Sequence, residues 1–170
     1  MKTLFAAAAL VLPPSVHPWP IGAGPRYLPP AKTTAVVAGT PVGELLAGAA
    51  GPSFRIHLEL FANRKVVVVP AGIGISPRGV YPIRTTSPGG VVEVARGTKL
   101  RVADIFRVWG QALGSRRLAS FSGPVRAYVG GKLVQSAAGA IPLTPHAEIV
   151  LELGGYVAPH PFFLFPGGDS

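Results

Sequence analysis

Two histidines in this chain stand two residues ahead of a glutamate, His57 before Glu59 and His146 before Glu148, and Glu152 extends the second row. Residues two apart on an extended strand project from the same face, so each pair would set an imidazole beside a carboxylate. Those are donor types that a zinc-like divalent ion takes, in sets of three or four at about 2.0 to 2.3 Å. Were the two strands neighbours, His57, Glu59, His146 and Glu148 could converge on one ion. The competing reading is plainer. A half-buried sheet demands polar residues on its wet face, and these four would be solvated there.

Other chemistry finds less support. The absence of cysteine excludes disulfides, thiolate nucleophiles and zinc-thiolate sites. Gly72-x-Gly74 lacks the six-residue glycine spacing and the following helix that present backbone amides to a phosphate, and reads as a strand-to-strand crossover that needs small residues. Ser76, Ser87, Ser115, Ser120, Ser122 and Ser136 are available, but none sits in a Gly-x-Ser-x-Gly elbow. With only seven acids, a base and its orienting carboxylate are hard to assemble. A non-catalytic protein is the expectation, with no cofactor unless the divalent metal is one.

The elements that must position these residues are strands. Ile56 to Phe61, a turn at Asn63-Arg64, and Lys65 to Pro70 are echoed by Val125 to Val129, a turn at Gly130-Gly131, and Lys132 to Val134. Both copies alternate apolar and polar side chains up to a two-residue turn, as a β-hairpin with one buried face does. The first hairpin, about 54–70, sends Ile56, Leu58 and Leu60 to the core and His57, Glu59 and Phe61 to the other face. Val91 to Ala95 is a strand behind the turn signal Ser87-Pro88-Gly89-Gly90. A short strand is expected at 118–121, and another at 146–153 burying Ala147, Ile149, Leu151 and Leu153.

Between the hairpins the period changes. Val102, Ile105, Phe106 and Trp109 fall at i, i+3, i+4 and i+7, one stripe of an amphipathic helix that Gly110 or Gly114 ends, with Arg101, Asp104 and Arg107 on its wet side. Trp109 reads as a core anchor there. The predicted fold class is α+β and β-rich: a mixed or antiparallel sheet with paired hairpins, one amphipathic helix, and a β-grasp-like second half in which the sheet wraps the helix.

At 170 residues the chain supports one domain with a real core. It divides into a signal-like apolar N-terminus (1–18), a Pro/Gly/Ala-rich tether (19–52), the β-rich domain (53–157) and a Pro/aromatic tail (158–170). Lys2 followed by the apolar run Leu4 to Leu12 matches a secretory signal and is too short to span a bilayer as a helix. The expected location is secreted or cell envelope; with no small-x-small cleavage site directly behind Pro13-Pro14, the segment could also stay as an anchor. The prolines of the tail, Pro159-His160-Pro161-Phe162-Phe163-Leu164-Phe165-Pro166, forbid a helix and favour an extended strip. Its aromatics are expected to cover a sheet face or edge, or else to dock on a partner or membrane surface.

Sixteen Lys and Arg against seven acids give a formal charge of +9. The cations are spread singly or in pairs such as Arg64-Lys65 and Arg116-Arg117, a diffuse field that favours anionic polymers or lipid headgroups. There is no Arg-rich helix, RNP-type strand or zinc-finger spacing that would single out nucleic acid.

The segments His57-Leu58-Glu59-Leu60-Phe61, Val69 to Ile75, Asp104 to Gln111 and Glu148 to Gly155 together resemble a set of uncharacterised exported bacterial proteins, over most of 54–166. That set carries a His-Thr-His-Asp run before a strand, suggestive of a metal or polar site; here Arg84-Thr85-Thr86-Ser87 stands in its place, without either histidine or the carboxylate. The resemblance implies export and one compact β-rich domain, and no activity. The leading expectation is a non-catalytic exported envelope module whose basic surface engages an anionic envelope component or a protein partner. The alternative is a metal-binding protein or metal-dependent enzyme using His57, Glu59, His146 and Glu148.

Overall fold

The computed structural model describes residues 51–165 and the two-residue strand β1 (Arg26–Tyr27). The signal-like segment, the rest of the tether and residues 166–170 lie outside the described residues. In chain order β1 is followed by β2 (Ser53–Ala62), β3 (Lys65–Val67), β4 (Ile75–Ser76), β5 (Gly79–Val80), β6 (Ile83–Arg84) and β7 (Val91–Ala95). Then come helix α1 (Val102–Trp109), β8 (Leu113–Gly114), β9 (Arg117–Leu118), β10 (Phe121–Ser122), β11 (Val125–Val129), β12 (Lys132–Leu133), a 3-10 turn at Ala138–Ala140 and β13 (Glu148–Leu153).

Both hairpins close as their turn residues dictate. Asn63 and Arg64 have φ of 51° and 65°, and Gly130 and Gly131 of 55° and 75°. This left-handed backbone at both central positions is what a two-residue hairpin turn requires to match strand twist. The ten-residue β2 is long enough to serve three neighbours. On one edge its first half runs antiparallel to β7 (His57 opposite Val91) and its end antiparallel to β3 (Phe61 opposite Val66). On the other edge His57 to Ala62 runs parallel to β13, with Glu148 opposite His57.

The main sheet is therefore ordered β1-β3-β2-β13-β11-β12, with β6 and β7 joined beside β2. Its two central strands are parallel, and each is flanked by an antiparallel strand of one hairpin, the order of a β-grasp sheet. The grasp-like arrangement thus includes the first hairpin and spans the domain rather than its second half alone. β1 adds a parallel strand to the outer edge of β3, so a piece of the tether joins the sheet.

One face of this sheet holds α1. Val102, Ile105, Phe106 and Trp109 are each at most 1% exposed and pack with Ile56, Leu58, Leu60, Ile149, Leu151 and Leu153. Burial of this apolar stripe, about 1.5–3 kcal/mol per large side chain, is what holds so short a helix, since eight residues are marginal in isolation. Gly110 ends it in the left-handed conformation at φ 73°, where a Cβ would be costly. At the other end the Arg101 backbone N–H donates to Asp104 Oδ2 at 2.8 Å.

Several predicted strands are shorter than their patterns, and β3 stops at Val67, short of the expected Pro70. Residues 118–121 form no continuous strand, because Ala119 turns the chain at φ 50° between β9 and β10, which pair with each other. The last strand starts at Glu148; His146, at φ 61°, still lies in the preceding turn. Gly74, at φ 72°, is pressed against β6 so closely that a Cβ would run into the Ile83 carbonyl oxygen, which explains the small residue at this crossover. Among the described residues no helix is long and apolar enough to cross a membrane.

Candidate functional site

The sheet face opposite α1 carries the chemistry. Along β2 the outward residues are Arg55, His57, Glu59 and Phe61, and along β13 they are Glu148, Val150 and Glu152; the parallel register puts His57 beside Glu148 and Glu59 beside Val150. This face is not wet. His57 is 1% exposed, Glu148 3% and Glu152 0%, so these three are not the solvated side chains that simple alternation would leave there.

The cover is the C-terminal strip. It leaves β13 and returns antiparallel to β2. Val157 packs on Phe61, Tyr128 and Val150, His160 meets Glu59, Phe163 stacks on the His57 ring with centroids 3.7 Å apart and planes at 14°, and Phe165 lies near His146 and under the Arg55 guanidinium. Val157, His160 and Phe163 are spaced by three, the repeat of a polyproline II strip. This is the placement over a sheet face expected of a proline-interrupted aromatic run.

Beneath the strip, His57, Glu59 and Glu148 each bring a ligand atom within 4.8 Å of the other two. The His57 ring is fixed at both nitrogens. Its Nε2 lies 2.9 Å from the Gly89 carbonyl oxygen, which can only accept, so Nε2 carries the hydrogen. Nδ1 lies 2.7 Å from Glu148 Oε2, and the two share a single proton. The Gly89 carbonyl is positioned by Gly90, at φ 79°, whose Cα is so close to β2 that a Cβ would run into the Leu58 carbonyl oxygen and come 3.2 Å from His57 Nε2.

The Glu148 carboxylate is half satisfied. Oε2 faces His57, whereas Oε1 is buried with no hydrogen-bond partner among the described residues. Burial pushes the Glu148 carboxyl above the usual carboxylate range, against the opposing pull of the His57 contact. Glu59 is less enclosed, its side chain 17% exposed, and both its oxygens accept from His160 Nδ1, at 3.0 and 2.8 Å.

Of the four residues that the sequence nominates, three come together and His146 does not join them. Its left-handed backbone breaks the pleat before β13 begins, so His146 and Glu148 do not share a row of one strand; its ring instead meets Phe165 edge-on at 5.5 Å. His160 was not among the nominated residues, and its only sequence signal is that it lies in the aromatic strip.

Glu152, two pleats along β13, makes a different environment. Its Oε1 accepts from the Tyr128 hydroxyl at 2.7 Å and Arg126 Nε at 3.0 Å, and its Oε2 from the Val157 backbone N–H at 2.8 Å. Burial, and then the bond to Glu152, hold the Tyr128 phenol above its ordinary range. In the stretch Arg84-Thr85-Thr86-Ser87, Arg84 pairs with Glu93, and the buried Thr85 hydroxyl donates to the Pro70 carbonyl and accepts from the Ile73 N–H. Arg84 thus bridges β6 and β7, and Thr85 ties the loop after β3 to β6.

Taken as a class, the fold and site define an α+β domain with a β-grasp-like strand order and a roofed His-Glu-Glu cluster on its outer face. No family model, no curated protein and no solved structure matches the chain.

Proposed function

We propose that the protein is a divalent-metal-binding module that holds a zinc-like ion with His57, Glu59 and Glu148. The observation that carries this reading is the buried Glu148 Oε1. An unsatisfied carboxylate oxygen costs several kcal/mol by order of magnitude, and it lies in the one residue set of the described chain whose imidazole and carboxylate atoms approach one another closely enough to share an ion. The second ring nitrogen supports the same reading. A metal-binding imidazole commonly donates its other N–H to a backbone carbonyl, which fixes the ring and raises its basicity; His57 Nε2 does so to Gly89. One imidazole and two carboxylates suit zinc, and also manganese. A site of three protein donors leaves a coordination position for water or a ligand.

The test is elemental analysis and zinc titration of the full chain purified without chelator. One equivalent is expected for the wild type and none for Glu148→Gln. A wild type that takes up no ion from zinc or manganese would overturn the reading, with a trapped water then satisfying Oε1.

A second reading rests on the charge of +9: an exported module held to an anionic envelope component. The apolar segment behind Lys2 supports export. Retention on an anionic polymer should be strong at low ionic strength and fall steeply with salt; a chain that passes such a column unretained at low salt would remove this proposal and leave the metal site untouched.

A further inference from the structure

The C-terminal strip touches two of the three proposed ligands through side chains rather than covering them passively. His160 Nδ1 donates to both oxygens of Glu59, the more exposed of the two carboxylates. Phe163 lies flat on the face of the His57 ring. The lone pair of Nδ1 lies in the ring plane, so the stack fixes the imidazole without covering the Nδ1 edge that faces Glu148. A carboxylate that accepts from His160 still has lone pairs for an ion, and ligating carboxylates are characteristically held by such outer hydrogen bonds.

We propose that the strip is a metal-coupled latch: His160 is a positioning residue that aims Glu59, Phe163 roofs His57, and ion binding and docking of residues 157–165 strengthen each other. This rests on the metal reading above. Because coupling is reciprocal, whatever the docked strip adds to ion affinity the ion must return to the docking of the strip. The strip is suited to report this. Phe162 and Leu164 point outward, 53% and 66% exposed, so the strip presents aromatic cleavage sites whose accessibility depends on whether it lies flat. Its far end is held separately by the Val157 N–H on Glu152, so the His160 to Phe165 portion can lift without unseating the sheet.

The experiment uses the full chain with zinc alone, and compares wild type, His160→Ala, His160→Gln and Phe163→Ala by zinc titration and by chymotryptic cleavage within the strip. His160→Ala should weaken zinc binding roughly 10- to 100-fold at unchanged stoichiometry, the usual consequence of losing an outer-shell partner. His160→Gln, whose amide can still donate to Glu59, should recover most of that loss. Zinc should slow cleavage of the wild type several-fold and that of His160→Ala much less.

If wild type binds one zinc but His160→Ala binds equally well and cleavage ignores the ion, the latch is wrong and the metal reading stands. If His160→Gln is as weak as His160→Ala, His160 does not act by aiming Glu59 and the positioning role falls. If wild type binds no zinc, the site reading fails first and the latch with it.

Discussion

Glu148 and Glu152 lie on one face of one strand, and both are buried carboxylates, yet the protein treats them oppositely. Glu152 receives three donors, a hydroxyl, a guanidinium N–H and a backbone N–H, and each of its oxygens is occupied. Glu148 shares one proton with His57 and leaves its other oxygen bare. A buried charge that is fully hydrogen-bonded fastens elements together; one left half-satisfied costs stability, and such costs concentrate where a protein binds or reacts. The Glu152 end is a clamp, and the Glu148 end is the proposed receptacle.

The largest effect should come from breaking the clamp. Glu152→Ala strands the Tyr128 hydroxyl and the Val157 N–H and opens a cavity, and should destabilise the domain by about 1–3 kcal/mol for each donor left unsatisfied; denaturant unfolding measures it. Glu148→Gln should do the reverse. Its amide can donate to His57 Nδ1 and removes a buried charge, so the metal-free variant should be at least as stable as wild type at neutral pH. Its zinc binding should nonetheless be lost, because one of the three proposed ligands is gone.

Acidity sharpens the same contrast. The folded-state pKa of Glu148 is raised, so the folded chain binds that proton more tightly than the unfolded one. Its contribution to stability is fully present below the ordinary carboxylate range and is lost as pH rises through the raised value. Subtracting the metal-free stability curve of Glu148→Gln from that of wild type should therefore give a difference that declines with rising pH across that window. A flat difference would show that Glu148 titrates normally.

Gly90→Ala should cost about 1–3 kcal/mol through its left-handed backbone and the blocked approach to Leu58. It should weaken zinc binding as well, since it displaces the Gly89 carbonyl from His57. The smallest effect is expected for Phe163→Ala. Loss of its stack should cost about 0.5–1.5 kcal/mol and loosen the strip over His57 while the Val157 end stays fastened to Glu152, a distinction hydrogen exchange would read.

Much of this frame was legible in the sequence because it is written in local patterns. The two hairpins show in their alternation and their Asn63-Arg64 and Gly130-Gly131 turns, and β7 runs over the residues expected, Val91 to Ala95. The stripe of α1 was equally plain, and of the two glycines offered as its end, Gly110 and Gly114, it is Gly110 that stops the helix. The placement of His57 and Glu59 on the face away from the core followed from period two alone. What did not show was non-local. Alternation puts Glu148 and Glu152 on an outer face, but only the returning strip makes that face an interior. Nothing in the order of residues reveals that His146 adopts a left-handed backbone and leaves the row, or that His160 takes up the carboxylate of Glu59.

The pairing of β2 with β13 carries one more consequence. His57 and Glu148 are separated by 91 positions, and they meet only when the final strand takes its place between the strands of the two hairpins. Long-range parallel pairing of this kind forms late, since the entropy of closing so large a loop precedes any reward. A chain still emerging from synthesis, or one cut short before Glu148, would lack the strand that supplies Glu148 and with it the proposed ion site. Capture of an ion would then mark the completed molecule, and the ion would act as a seal on the last step of assembly.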